Sequence, residues 1–340
     1  MSSSNLIETV RKTVTSRLES FLEEKRCEVL QTAPASAELV DELAAITLRG
    51  GKRIRAVIMA AGFQAVSEGA LSVIAQEAAS VELLQSYLLI HDDWMDCDLE
   101  RRGGPAAHAS LGSRYGTHLG AALAILCGDL GATLAWELHL GAPFSASARP
   151  QADQTFLQMQ KQVYMGQHLD LVCYQDVRLM QQLKTGSYTV RGPLRLGALL
   201  GNANENQLNA LERWAAPVGL AFQLKDDLLG TFGDSRAMGK PVGNDLRQGK
   251  RTSLIAAFEA AASPGDLRRV RQVLESEVTN DDALHEVRAL LESSGAKDRV
   301  TAELERCLEE AYALLEGADL RLAGIEAMQE ITRQVGNRAH

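Results

Sequence analysis

The chain has 340 residues, 46% hydrophobic and 23% charged, enough to bury a sizeable core. Its formal net charge of -9 argues against wrapping nucleic acid or an anionic membrane surface, and leaves small anionic substrates possible only where cations gather. The 5 cysteines (Cys27, Cys97, Cys127, Cys173 and Cys307) are scattered and form no CxxC pair, which predicts reduced thiols and neither a zinc site nor a disulfide framework.

Helical periodicity dominates from end to end, with no convincing alternating strand. The N-terminus carries no signal-like apolar region, and residues 5–31 predict an amphipathic helix ending near Pro34. A second helix starts near Ser36 and meets Arg49-Gly50-Gly51-Lys52-Arg53, and a third runs through Ala65. Residues 70–98 predict a long helix stopped by Gly103-Gly104-Pro105. Helices follow over about 120–140, 152–174, 178–201 and 207–229, the last with a kink expected at Pro217. A Gly-rich, Lys-bearing loop covers 230–251, and four or five amphipathic helices fill the remainder. No low-complexity linker or short-period repeat divides the chain, so a single all-α domain over 1–340 is expected. No run approaches the roughly 18 uninterrupted apolar residues of a spanning helix, so the expectation is a soluble, cytoplasmic protein without stable membrane insertion.

The 70–98 helix carries an apolar stripe through Leu71, Ile74, Ala78, Val81, Leu84 and Leu88. The next positions on that face are Asp92 and Asp96, one helical turn apart, with Asp93 alongside. A second stripe, Leu211, Ala215, Val218 and Phe222, likewise ends at Asp226 and Asp227. An exposed acidic helix end explains one such stripe. Two stripes that should face the core and both end in aspartates predict carboxylates aimed at one cavity from two helices. Unpaired inward carboxylates are costly and call for cations. Magnesium fits, because it takes one or two protein carboxylates together with substrate phosphates. Basic residues accompany both motifs: Lys52, Arg53 and Arg55 after a Gly-Gly pair, Arg101 and Arg102 past Asp96, Lys184, Lys240, and Lys250-Arg251. Each alone reads as a surface charge; together they suit a diphosphate gripped by metal and direct ion pairs.

With these residues in place, the sequence resembles the trans-isoprenyl diphosphate synthases, also called polyprenyl synthases. The matching segments are GGKRIR at 50–55, LIHDDWMDCDLERRGG at 89–104, CGD at 127–129, GQHLDL at 166–171, KTG at 184–186, FQLKDDLLGTFGD at 222–234 and GKPVGNDLRQGKRT at 239–252. The resemblance implies an all-α isoprenoid-synthase bundle with a central cavity, acting as a homodimer. It implies head-to-tail condensation of isopentenyl diphosphate with allylic diphosphates and release of diphosphate. It further implies that Asp92 and Asp96, with Asp93 in support, and Asp226, with Asp227 beside it, hold magnesium, three ions in all when substrate is bound. Lys52, Arg55, Arg102 and Gln85 resemble the grip on isopentenyl diphosphate. Arg101, Lys184, Lys240 and Lys250 resemble the grip on the allylic diphosphate, and Thr185 and Gln223 the polar atoms near the reacting carbons. One departure stands out: the second motif lacks its third carboxylate, because Gly230 occupies that position.

Tyr87 and Leu88 lie about one turn below Asp92, where Tyr87 reads equally as an ordinary core aromatic or as a floor to the cavity beneath the growing tail. Within the resemblance, a single aromatic at that place points to a C20 product, geranylgeranyl diphosphate. Farnesyl (C15) and C25 diphosphates are the alternatives. Two other classes remain to be weighed. A terpene cyclase would need a Ser or Thr and then a Glu spaced after Asn244, where Gln248 and Thr252 stand. A non-catalytic synthase subunit would be expected to have lost its aspartates or lysines.

Overall fold

The computed structural model describes residues 3–233, 243–276 and 281–337. The described residues are helical apart from loops and one hairpin of two two-residue strands. In chain order the helices are α1 Ser3–Thr32, α2 Ala37–Leu48, α3 Ile54–Gln64, α4 Ala75–Met95, α5 Ala107–Tyr115, α6 Thr117–Leu140, α7 Arg149–Leu171 and α8 Val177–Gln181. A π-helical stretch follows at Gln182–Arg191. Then come α9 Gly192–Leu200, α10 Glu205–Phe232, α11 Asn244–Arg247, α12 Ser253–Glu259, α13 Pro264–Leu274, α14 Asp281–Ser293, α15 Ala296–Ala313 and α16 Leu322–Gly336. Contacts divide the chain into two compact units, Met1–Asp153 with Pro193–Ala203 and Arg321–Ala327, and Gln154–Gly192 with Asn204–Leu320 and Met328–His340.

In the first unit α4 is the central rod, touched by α1, α2, α3, α5 and α6. The stripe that identifies it in sequence is buried, and so is most of its remaining surface. Ser80 and Glu77, two of its buried polar residues, find partners on α6, as burial demands. Ser80 Oγ donates to Ala135 O at 2.7 Å, and Glu77 contacts His139 Nδ1 at 2.9 Å. Glycines let α6 come close: a Cβ on Gly131 would meet Leu43 and the Tyr87 Cβ at 3.0 Å, and one on Gly128 would overlap the His91 ring. By length and composition α6 alone among the described helices could cross a membrane, yet its inner face is packed against α4 and α5. Helix α3 is apolar nearly throughout, and backbone from far along the chain covers it. A Cβ on Gly197 would fall 2.8 Å from Met59 C, one on Gly62 3.0 Å from Leu194 C, and one on Gly324 2.5 Å from Ala65 Cβ. Arg321 N–H also donates to Ala65 O at 2.8 Å.

In the second unit α10 is the long element, opened by a capping box in which Asn204 and Gln207 bond reciprocally. Leu211, Trp214, Ala215, Val218 and Phe222 are buried along it, and it packs on the π stretch, α11, α12 and α15.

Several boundaries differ from expectation. The 70–98 helix begins only at Ala75, after a 3-10 turn over Leu71–Ile74. Helix α5 occupies a segment with no helical expectation, and the loop after α10 contains the short α11. The helix expected over 178–201 is interrupted by the π stretch, where Gly192 N–H donates to Ser187 O, five residues back. Lys240 lies outside the described residues.

Candidate active site

The first cluster belongs to the first unit. Gly50 (φ +65), Gly51 (φ +112) and Arg53 (φ +49) are left-handed and turn the chain sharply between α2 and α3. Such a conformation strains Arg53. Its buried guanidinium compensates, reaching Glu82 Oε2 at 3.3 Å and donating to Thr47 O at 2.7 Å. Glu82 Oε1 in turn accepts from Ala56 N at 3.3 Å, so the pair fixes the start of the helix that carries Arg55.

At the other end of α4, Asp92 and Asp96 are half-buried, one turn apart, and Asp93 is fully buried. The exposed Cys97 (φ +55) stops the helix, and Asp98 N–H donates to Asp93 O at 2.8 Å. The chain then makes the hairpin β1 Glu100–Arg101 with β2 Gly104–Pro105, pairing Glu100 with Pro105 and Arg101 with Gly104. Its two turn residues, Arg102 (φ +52) and Gly103 (φ +71), both take positive φ, the requirement of the tight hairpin turn whose twist matches the strands. The fold-back returns Arg101 over Asp93: Nε donates to Oδ1 at 2.8 Å and Oδ2 at 3.1 Å, and Nη2 completes a fork. Burial opposes the Arg101 charge, but Asp93, then Asp92 and Asp98, raise its pKa overall.

Arg102 lies over Gly51, whose missing side chain would be 3.3 Å from the Arg102 Cζ. It reaches Ile46 O and Gly50 O only at 3.4 Å. Burial, then Arg53, Arg55 and Arg101, lower its pKa, with Glu82 opposing them. The fold therefore gathers four arginines into one region. Lys52 is exposed beside them and Gln85 half-buried on α4. Arg49 had no role in the sequence reading: its Nη1 donates to Arg101 O at 3.0 Å and Pro105 O at 2.9 Å, stapling the hairpin to α2. Tyr87 is 1% exposed, with its ring edge-on to His91 at 6.1 Å, and Leu88 is also buried.

The second cluster belongs to the second unit. Asp226 is half-buried and Asp227 buried. Asp227 accepts from Gln181 Nε2 at 2.9 Å, Gln223 Nε2 at 2.8 Å and Ser253 N at 2.8 Å. Burial outweighs those bonds and pushes its pKa up to about 7. Because the Gln223 amide nitrogen is engaged with Asp227, its carbonyl oxygen is the end left to face a ligand. Lys184 Nζ donates to Asp170 Oδ2 at 2.6 Å, and Lys250 Nζ lies 3.6 Å from the same atom. Thr185 is half-buried beside Lys184. Asp170 was passed over in sequence, although GQHLDL places it four residues after Gly166 on one face of α7. At Gly230 a Cβ would fall 2.9 Å from Asp245 Oδ2, and Gly243 N–H donates to Gly230 O at 2.8 Å. A carboxylate from α11 thus occupies the space above the position where the third aspartate of the motif is missing.

Within each aspartate pair the second member is held by protein groups, Asp93 by Arg101 and Asp227 by three donors. Among the described residues no three or more His, Cys, Asp or Glu side chains come together into a group that could hold a metal ion by themselves. Oxygen donors in an open arrangement fit magnesium, which completes its shell with water and phosphate oxygens, and do not fit zinc or copper.

The chain matches the family model described as Polyprenyl synthetase over residues 37–291. It is 31% identical over 254 residues to a short chain isoprenyl diphosphate synthase of Methanocaldococcus jannaschii, covering 72% of this chain and 73% of the relative. It is 30% identical over 279 residues to the geranylfarnesyl diphosphate synthase of Aeropyrum pernix, covering 78% of this chain and 83% of the relative. Among solved structures, a geranylgeranyl pyrophosphate synthase from Corynebacterium glutamicum, complexed with isoprenyl diphosphate and magnesium, superposes with a TM-score of 0.91. The two are 29% identical, and the match covers 98% of this chain and 99% of that one.

Proposed function

Since the chain belongs to the polyprenyl synthetase family and is a trans-prenyl diphosphate synthase, we propose that it adds isopentenyl diphosphate to allylic diphosphates and ends mainly at the C20 product, geranylgeranyl diphosphate. The observation that carries this reading is the arginine cluster. Burial first, and then Arg53, Arg55 and Arg101 against the opposing Glu82, lower the pKa of Arg102, so an arriving anion would stabilise its charge. In an acidic protein such a concentration of cations is a binding device for a diphosphate.

Lys52, Arg55, Arg102 and Gln85 hold isopentenyl diphosphate, which orients its double bond. Lys184, Lys250, Lys240 and Arg101 hold the allylic diphosphate and stabilise negative charge as it departs. Magnesium held by Asp92 and Asp96 and by Asp226, with Asp93, Asp227 and Asp245 supporting, supplies further neutralisation of that leaving group; three ions suit the substrate complex. The Lys184 carbonyl, the Thr185 hydroxyl and the Gln223 Oε1 present dipoles to the allylic carbons without adding to them. Among the described residues none stands out as the base, and the released diphosphate is the proposed acceptor of the proton. Buried apolar groups around α4 keep water from the reacting carbons.

Relatives at about 30% identity carry names for C15, C20 and C25 products. The C20 choice rests on Tyr87, which is buried one turn below Asp92 and packs closely on Gly131. A second copy of the chain is the proposed cover for α6, whose outer face repeats Leu119, Leu126 and Leu140 at multiples of seven residues, all about half-exposed or more. The test is diphosphate release and product chromatography with isopentenyl and allylic substrates. Product that needs both substrates supports the reading. Release from an allylic substrate alone would favour a cyclase, and no release a non-catalytic subunit.

A further inference from the structure

We infer that Gly166 is a positioning residue for Lys184 and Thr185, an inference that rests on the roles proposed above for that pair. π-helical turns are rare and occur mostly as single turns at functional sites. The stretch Gln182–Arg191 extends this geometry over 10 residues. Its neighbours hold it at places where a side chain is missing. A Cβ on Gly166 of α7 would lie 2.6 Å from Lys184 Cα and 2.8 Å from Leu183 C, both backbone atoms that cannot swing aside. A Cβ on Gly219 of α10 would lie 3.3 Å from Gly186 Cα, and one on Gly192 would overlap the Met159 thioether.

Helix α7 meets Lys184 twice. Gly166 seats its backbone, and Asp170, one turn later on the same face, takes its ammonium at 2.6 Å. One rigid helix thus fixes both ends of the side chain, and with it the Lys184 carbonyl and the adjacent Thr185. Alanine at 166 requires the stretch to retreat on the order of 1 Å before ordinary contact distances return. The isopentenyl grip, on Lys52, Arg55 and Arg102, belongs to other elements and does not feel that retreat. The consequence is selective for one of the two substrates.

The experiment is steady-state kinetics with each substrate varied in turn, on the full-length wild type, Gly166→Ala, Gly219→Ala, Lys184→Ala and the Gly166→Ala/Lys184→Ala pair, with folding checked by circular dichroism. Gly166→Ala is expected to raise the allylic KM and lower kcat/KM for the allylic substrate about 100-fold. The KM for isopentenyl diphosphate should stay within about two-fold, and the double variant should lose little beyond Lys184→Ala alone. Wild-type kinetics for Gly166→Ala overturn the inference. So does a loss shared equally by both substrates and additive with Lys184→Ala. Should Gly166→Ala fail to fold, Gly219→Ala decides, since it displaces the same stretch by only a few tenths of an ångström: a several-fold rise in the allylic KM alone supports the inference, and an unchanged allylic KM overturns it. A wild type that makes no product from either pairing would instead overturn the proposed function.

Discussion

Asp93 and Asp227 are each the second aspartate of a pair, and each is buried with its oxygens engaged by the protein. Asp92, Asp96 and Asp226 are the half-buried members, the ones proposed above to hold magnesium. At Asp227 the pKa of about 7 stands well above the ordinary value near 3.9. The native state therefore binds the proton more tightly than the unfolded chain. The stabilisation this gives is complete below about pH 4 and is lost as pH rises through about 7. In metal-free protein, Asp227→Asn should accordingly gain in melting temperature relative to wild type between pH 5 and pH 8; parallel melting curves across that range would rule this out. Gly230 allows a second test. Restoring the aspartate with Gly230→Asp brings it against Asp245, so the variant should bind magnesium in the presence of inorganic pyrophosphate no more tightly than wild type. Adding Asp245→Asn should relieve the repulsion and recover affinity, as read by titration calorimetry. Sequence identified both pairs through their stripes. It could not divide the labour within them, because Gln181 and Ser253 reach Asp227 from 46 and 26 residues away.

Helices with one apolar face and clear stops were legible: α4, α6, α7 and α10 lie close to their expected spans. The misses have physical causes. Helix α5 is short and buries only Ala107 and Leu111, too few positions to show a period. The π stretch departs from α-helical spacing, so a template of period 3.6 reads through it as one helix. Arg102 was named as a candidate ligand from its motif, but its left-handed turn and the Arg49 staple depend on pairing that local sequence does not display. At this scale Tyr87 makes the sharpest prediction. Tyr87→Ala opens space below Asp92, so the product distribution should shift beyond C20; an unchanged distribution by chromatography would remove Tyr87 as the floor. Losing a fully buried aromatic should also destabilise the fold by about 3–5 kcal/mol, measurable by denaturant unfolding.

The whole chain carries a net charge of -9, yet it gathers arginines where the first aspartate motif ends. High salt should therefore raise substrate KM, because screening weakens the attraction that draws diphosphates in. The apolar outer face of α6 makes a prediction of its own. Leu126→Glu, a change at a 52% exposed position, should convert the proposed dimer to monomer in sedimentation analysis; a monomeric wild type would overturn the dimer proposal. The close cover of α3 has a consequence for synthesis. Helix α3 ends at Gln64, but Gly324, which seals its end at Ala65, is made 259 residues after that alanine. At about 5–20 residues per second, an almost wholly apolar segment must wait roughly 13–50 s on the ribosome for its last neighbour. A chain cut short before Arg321 would keep every residue of the proposed site and still leave the end of that helix at Ala65 without its last cover, a target for chaperones and proteases.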